Sequence, residues 1–410
     1  MNDYITGGHD AVAIGQQTAV RGTNQSGMRA HNERLILSLV RRNGSMAQRD
    51  IAKSTGLSAQ TISVIIRQLE RDGLLLRGVP TRGRVGQPSV PMSLSPKGAY
   101  SIGLKVGRRA ADIILIDFLG NIMLHLHRAF DFALPGGVID FMKEGASQIE
   151  AFLSEDEFSR IAGIVIATPF EMWNWAEEIG APPEKMELWR DFDLTAAVGA
   201  LVPYPVFLQN DATSACGAEL VFGVGPRYSD FIYFYIGSFA GGGVVINSSL
   251  FTGKSGNAGA VGSMLVPAPD GKSQQLISSA SIIVLERMLH EAGLDPRPLW
   301  HHLLEWTDFG APLQNWVKQS AKSLAHAIVS SASVIDFQAA IIDGNFPAWV
   351  RKMLADETRL AIKELDTAGI QVPEIIEGEV GSQARAIGGA SLPLFSRYLL
   401  DLNALFREPV

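Results

Sequence analysis

The chain has 410 residues, 47% of them hydrophobic, 19% charged and 41 of them glycine. That composition fills roughly two to four domains with apolar core and excludes global disorder, a coiled coil and a low-complexity scaffold. The formal charge of −7 is unevenly spread: residues 1–100 hold 13 Lys and Arg against 6 Asp and Glu, and residues 101–410 hold 22 against 36, so a basic head suited to a polyanion precedes an acidic body.

Residues 1–28 lack the basic start and apolar block of a signal peptide and hold five glycines. They read as a flexible tail, or as upstream sequence ahead of a true start. Leu35, Ile36, Leu37, Leu39 and Val40 then give a first helix its apolar stripe, closed by Arg41, Arg42 and Gly44. A second helix is predicted over 47–55, a turn at Gly56, and a third helix over 59–72 with Ser58 as N-cap and Gly73 as stop. Gln48, Ile51, Ala52, Gly56, Leu57, Ile62 and Ile65 have helix-turn-helix spacing. With Ile62, Ile65, Ile66 and Leu69 facing inward, the third helix presents Gln60, Thr61, Ser63, Val64 and Arg67 outward, where amide, hydroxyl and guanidinium groups can read base edges. Arg49 and Ser58 join them as candidate DNA-binding residues. Strands over 74–76 and 90–94 flank a basic, glycine-rich tip with Arg82 and Arg84, which reads as a wing on phosphates or a minor groove. A three-helix domain used for protein contacts is the other reading.

From residue 100 the pattern turns to strands: 100–106, 111–118 and 122–129 as a meander, a helix over 138–153, a buried strand over 161–167, a helix over 194–201 and a strand over 206–209. His125 and His127 share one strand face, and with no acid at suitable spacing they read as surface or packing residues. The charge-free stretch 231–253 is long enough to span a membrane, but its serines, glycines and Asn247 make it strand, glycine turn, strand. Strands over 231–236 and 243–246 open a second lobe, followed by helices across 274–333, a strand over 340–344, a helix to 368, a strand over 374–377 and a final helix. The fold class is therefore α/β, two lobes of actin- or hexokinase-like ATPase type preceded by a winged helix-turn-helix. The boundaries are 1–28 for the tail, 29–95 for the head and 96–410 for the body.

In order and spacing, residues 28–35 ahead of the winged helix, Gly86-Gln87-Pro88, Trp189-Arg190-Asp191, Gln209-Asn210-Asp211-Ala212, the run 237–243 and the run 253–262 carry a likeness. The chain resembles the ROK family (repressors, open reading frames and kinases), and in its head the repressors of the xylose and N-acetylglucosamine type. The resemblance implies a sugar-facing segment at Trp189–Asp191 and 209–212, a glycine loop at 237–243, and an effector site that includes Asn210, Asp211, Gly241, Gly242, Gly259 and Ser263. It also implies that Asp211 matches the base of the family's kinases. The alternatives are an Asx turn capped by Asp211 and a plain hairpin turn at 241–243.

The departures from the family are at chemically decisive positions. Where its kinases open with an acid and a flexible phosphate loop, this chain has Lys105-Val106-Gly107-Arg108-Arg109, and Phe239 replaces a glycine of the second loop. Gly259-Ala260-Val261-Gly262-Ser263 lacks the family's sugar-binding Glu and its His, a zinc ligand, and Cys216 stands alone, so no zinc and no cofactor are expected. The expected protein is a cytoplasmic DNA-binding regulator of carbohydrate-related genes, most simply a repressor, acting as a homodimer or dimer of dimers on double-stranded operator DNA. It is not membrane-bound and answers to a sugar-like effector. A sugar kinase, or a repressor controlled by a protein partner, are the alternatives.

Overall fold

The computed structural model describes residues 25–80, 90–169, 171–174, 176, 180–254, 257–301 and 306–399. Residues 1–24 of the expected tail, and the wing tip with Arg82, Arg84 and 86–88, lie outside them.

The head holds α1 (Gln25–Asn43), β1 (Met46–Ala47), α2 (Gln48–Thr55), α3 (Ala59–Arg71), β2 (Leu75–Arg77) and β3 (Pro91–Leu94). The strands form one antiparallel sheet in the order β1-β3-β2. Helix α1 starts three residues ahead of Met28, so the end of the expected tail is helical. The α2–α3 turn forms because Gly56, at φ 69°, closes α2 in the left-handed region, and Ser58 then accepts the Thr61 amide as the α3 cap.

The first lobe runs β4 (Tyr100–Val106), β5 (Ala110–Asp117), β6 (Ile122–Ala129), α4 (Pro135–Phe152), α5 (Glu155–Ser159), β7 (Ile161–Thr168), α6 (Pro183–Met186), α7 (Leu194–Gly199), β8 (Val206–Asn210) and α8 (Asp211–Phe222). Its sheet has the order β6-β5-β4-β7-β8, antiparallel across the meander and parallel from β4 to β8. All seven residues of central β4 are buried, as expected for a strand covered on both faces.

The second lobe repeats the plan. It runs β9 (Phe231–Ile236), β10 (Ala240–Ile246), β11 (Ser249–Phe251), β12 (Leu265–Pro267), β13 (Ser273–Gln275), α9 (Ile277–Ala280), α10 (Ile282–Glu291), α11 (Pro298–His301), α12 (Gly310–Ala332), β14 (Ala339–Gly344), α13 (Ala348–Ile362), β15 (Glu374–Glu377) and α14 (Ala384–Tyr398). Its main sheet has the order β11-β10-β9-β14-β15. Among the described residues, no helix is long and apolar enough to cross a membrane.

Gly241, Gly242 and Gly243 are not a turn. They lie within β10, paired with Tyr235, Phe234 and Tyr233 of β9. Space explains them: a Cβ on Gly242 would sit 1.9 Å from the Tyr233 carbonyl oxygen, and one on Gly243 would sit 2.6 Å from the Cys216 Cβ of α8.

Helix α14 returns to the first lobe, packing on α8, β4, β5 and β7. Its crossing with α8 is so close that a Cβ on Gly388 would stand 1.7 Å from the Ser214 carbonyl oxygen. The far half of α14 enters the core of the head. One buried cluster joins Ile36, Ile51, Ile62 and Leu69 of the head to Ile114, Phe118, Ala390 and Leu394 of the body. Arg41 of α1 reaches the Phe118 carbonyl oxygen at 3.2 Å, with its guanidinium 5.0 Å from the Phe395 ring centre and 5.3 Å from that of Phe222. Burial lowers its pKa to about 10, with Asp117 acting in the other direction.

Candidate functional site

Between the lobes lies a cavity of about 470 Å³. Asn210, Asp211, Gly241, Gly242, Gly259 and Ser263, all expected at the effector site, line it together. Strand β8 delivers the first two at its C-terminal end, where α8 begins, the position at which open α/β sheets leave a crevice.

The two residues divide their work differently from the sequence expectation. Asn210, not Asp211, is the cap: its side-chain oxygen accepts the amides of Ala212 and Thr213 at 3.1 and 3.0 Å. Asp211 instead accepts a hydrogen bond from an Arg385 guanidinium nitrogen at 3.0 Å, and both residues are buried. Arg385 comes from the first turn of α14 and lies over the Tyr235 ring at 4.9 Å. Burial works against its charge, but Tyr235 and Asp211 together raise its pKa above the ordinary guanidinium value.

The histidines also require a correction. An acid faces them, from the neighbouring strand: Asp112 is 2.7 Å from His127 Nδ1 and 3.1 Å from His125 Nε2. The register aligns Lys105, Asp112 and His127 across β4, β5 and β6, and the Lys105 ammonium donates to Asp112 at 3.1 Å. Burial pushes the Asp112 carboxyl up, yet Lys105 and the hydrogen bonds of His125 and His127 outweigh it and hold the group well below the usual carboxylate range. Burial lowers the Lys105 amine, with Asp112 opposing it. All four residues line the cavity. Among the described residues, no group of three or more His, Cys, Asp or Glu could hold a metal ion.

Arg108 and Arg109, from the β4–β5 turn, complete the cationic wall. Arg108 lies 4.7 Å over the Phe239 ring, and Arg109 is 3.6 Å from Glu286. Trp189, Arg190 and Asp191 do not reach the cavity. Trp189 is buried and donates to the Ala133 carbonyl, while Arg190 pairs with Glu187 over the Trp173 ring.

On the head, Gln60, Val64 and Arg67 are exposed along one side of α3, and Thr61 and Ser63 are half-buried beside them. Arg67 folds back on its helix, donating to the Ser63 hydroxyl at 2.9 Å, and Ser58 shares a 2.9 Å hydrogen bond with Thr61. Arg49 is exposed on α2, 3.5 Å from Asp50.

Residues 29–75 match the winged helix-turn-helix DNA-binding family model. A xylose repressor of Bacillus spizizenii is 27% identical over 243 residues, 59% of this chain and 62% of that protein, so the match spans less than two thirds of that relative's length. A solved ROK family transcriptional regulator, a homolog of the E. coli MLC protein, superposes with a TM-score of 0.65 at 19% identity, covering 92% of this chain and 98% of that one. A ROK family glucokinase from Streptomyces griseus, solved with glucose and AMPPNP, superposes at 0.56 and 19% identity, covering 72% and 99%. Residues 101–394 match the ROK family model, and the chain belongs to the ROK family.

Proposed function

We propose that the protein is a DNA-binding transcriptional regulator, a repressor of carbohydrate-related genes, which binds a two-half-site operator as a dimer and is controlled by a sugar-like effector in the interlobe cavity. The observation that carries this reading is the course of α14. Its first turn lines the cavity with Arg385 and Ala386, and Ala390 and Leu394 further along share a core with α1, α2 and α3. An effector that favours one placement of Arg385 biases the placement of the head, by no more than its difference in affinity for the two states. In a dimer this changes the spacing of two α3 helices and so the affinity for half-sites about one or two helical turns apart.

A kinase reading finds less support. Asp211 is tied to Arg385, Lys105 stands at the family's acid, and Phe239 occupies the second loop beneath Arg108. With Mg-ATP and a panel of hexoses, ADP release is expected to stay at background; turnover abolished by Asp211→Asn would reverse this conclusion.

The deciding experiment is selection of a duplex from a random library by the full chain, followed by titration with sugars. Specific binding that a sugar shifts is the expected result. Absence of any duplex bound above competitor DNA would remove the regulatory reading.

A further inference from the structure

We propose that Val64 is a specificity-determining residue of the head and reads the 5-methyl group of a thymine in the major groove; this rests on the DNA-binding reading above. Gln60, Val64 and Arg67 stand four and three residues apart on α3, so they form one row, and all three are exposed. Val64, the middle of that row, is 51% exposed. The other large apolar residues of the helix, Ile62, Ile65, Ile66 and Leu69, are buried in the core of the head.

Neither helix stability nor packing accounts for a valine at this position. A β-branched residue is a weaker helix former than alanine, leucine or the long polar residues, and an exposed side chain gains nothing from burial. What valine offers on the surface of α3 is a stiff apolar knob. In a helix one χ1 rotamer dominates, so its two methyl groups are already held in place when a partner arrives, and little rotamer freedom is lost on contact. In the major groove the apolar feature that a base presents is the thymine methyl, whereas adenine, guanine and cytosine present donors and acceptors. An apolar side chain against those polar edges displaces water and returns no hydrogen bond.

The neighbours on the row suit the same groove. Gln60 carries an amide that can pair with adenine, and Arg67 a guanidinium that can pair with guanine. Arg67 is turned along the helix to Ser63, the residue before Val64, donating to its carbonyl and hydroxyl oxygens at 3.2 and 2.9 Å. Beyond Arg67, Arg71 is tied to Gln68 and Gln68 to Asp72, at the end of the helix. With a rise of about 1.5 Å per residue, Val64 lies about 6 Å from Gln60 and about 4.5 Å from Arg67 along the axis, one to two base steps of about 3.4 Å on either side. The thymine is therefore expected inside the half-site, between the bases that Gln60 and Arg67 address.

The test uses the full chain and the duplex it selects from a random library, with each thymine replaced in turn by uracil. The replacement removes the 5-methyl group and leaves the hydrogen-bonding edge as it was. Fluorescence anisotropy is expected to find one position per half-site where uracil weakens binding about fourfold, the factor that burial of one methyl group gives, and about fifteenfold with both half-sites changed. Val64→Ala should lose about the same factor as the doubly substituted duplex and should no longer distinguish thymine from uracil; Val64→Ser is the second variant if the first does not fold. A wild type that tolerates uracil at every position overturns the proposal, as does a uracil penalty kept in full by either variant. Selected half-sites that share no thymine overturn it as well, and all three results leave the DNA-binding reading standing. No duplex bound above competitor DNA overturns both.

Discussion

The Asp211–Arg385 pair joins two helices that begin at the cavity, and neither partner is exposed enough for water to replace the other. Removing the arginine leaves a carboxylate charge buried without its partner, so Arg385→Ala is expected to cost about 3–5 kcal/mol in urea unfolding. Asp112 makes a pH prediction. Its folded pKa lies below its unfolded value, so the unfolded chain binds more protons on the acid side. Its stabilisation is complete above the ordinary carboxylate pKa and is lost as pH falls through the folded one. The melting temperature of the wild type should therefore fall more steeply below about pH 4 than that of Asp112→Asn. Asn210 and Asp211 were legible in the sequence as polar residues at a strand end. Arg385 was not, because its partner lies 174 positions away and the pair exists only where α14 crosses α8. The Lys105–Asp112–His127 row was equally hidden, since three strands must be in register before the side chains meet.

Helix α14 depends on small residues at its crossing with α8. Gly388→Ala drives a methyl carbon into the Ser214 carbonyl oxygen, 1.7 Å away without adjustment, and should destabilise by about 1–3 kcal/mol or more. Leu394→Ala, in the core shared with the head, is expected to cost about 2–5 kcal/mol and to expose apolar surface on both sides of the junction. Hydrogen exchange should then show lost protection in α1 and α3 as well as in α14. Most elements were readable from the sequence because strand alternation and helix stops are local signals. The run 241–243 misled because glycines mark turns by default, and here they serve strand-to-helix contact. Strand β1, two residues long, has no period to read, and nothing local in α14 tells which lobe it joins.

Across the whole molecule, the basic head bears on DNA and the acidic body adds no attraction for it. Binding of a selected duplex should weaken steeply with salt, and Arg67→Ala should cost about 1–3 kcal/mol in specific binding, measured by fluorescence anisotropy. The continuous core between head and body means that both should melt in one transition by calorimetry; two separated transitions would contradict the shared cluster.

The return of α14 to the first lobe also orders events during synthesis. Strands β4 and β7 leave the ribosome long before residues 384–398, which cover them, so the lobe made first stays open on one face until nearly the whole body has been translated. The head's seat on that lobe is unfinished for the same interval. A nascent chain should therefore gain a docked head only after residue 398 has emerged, which ties seating of the DNA-binding head to completion of the interlobe cavity.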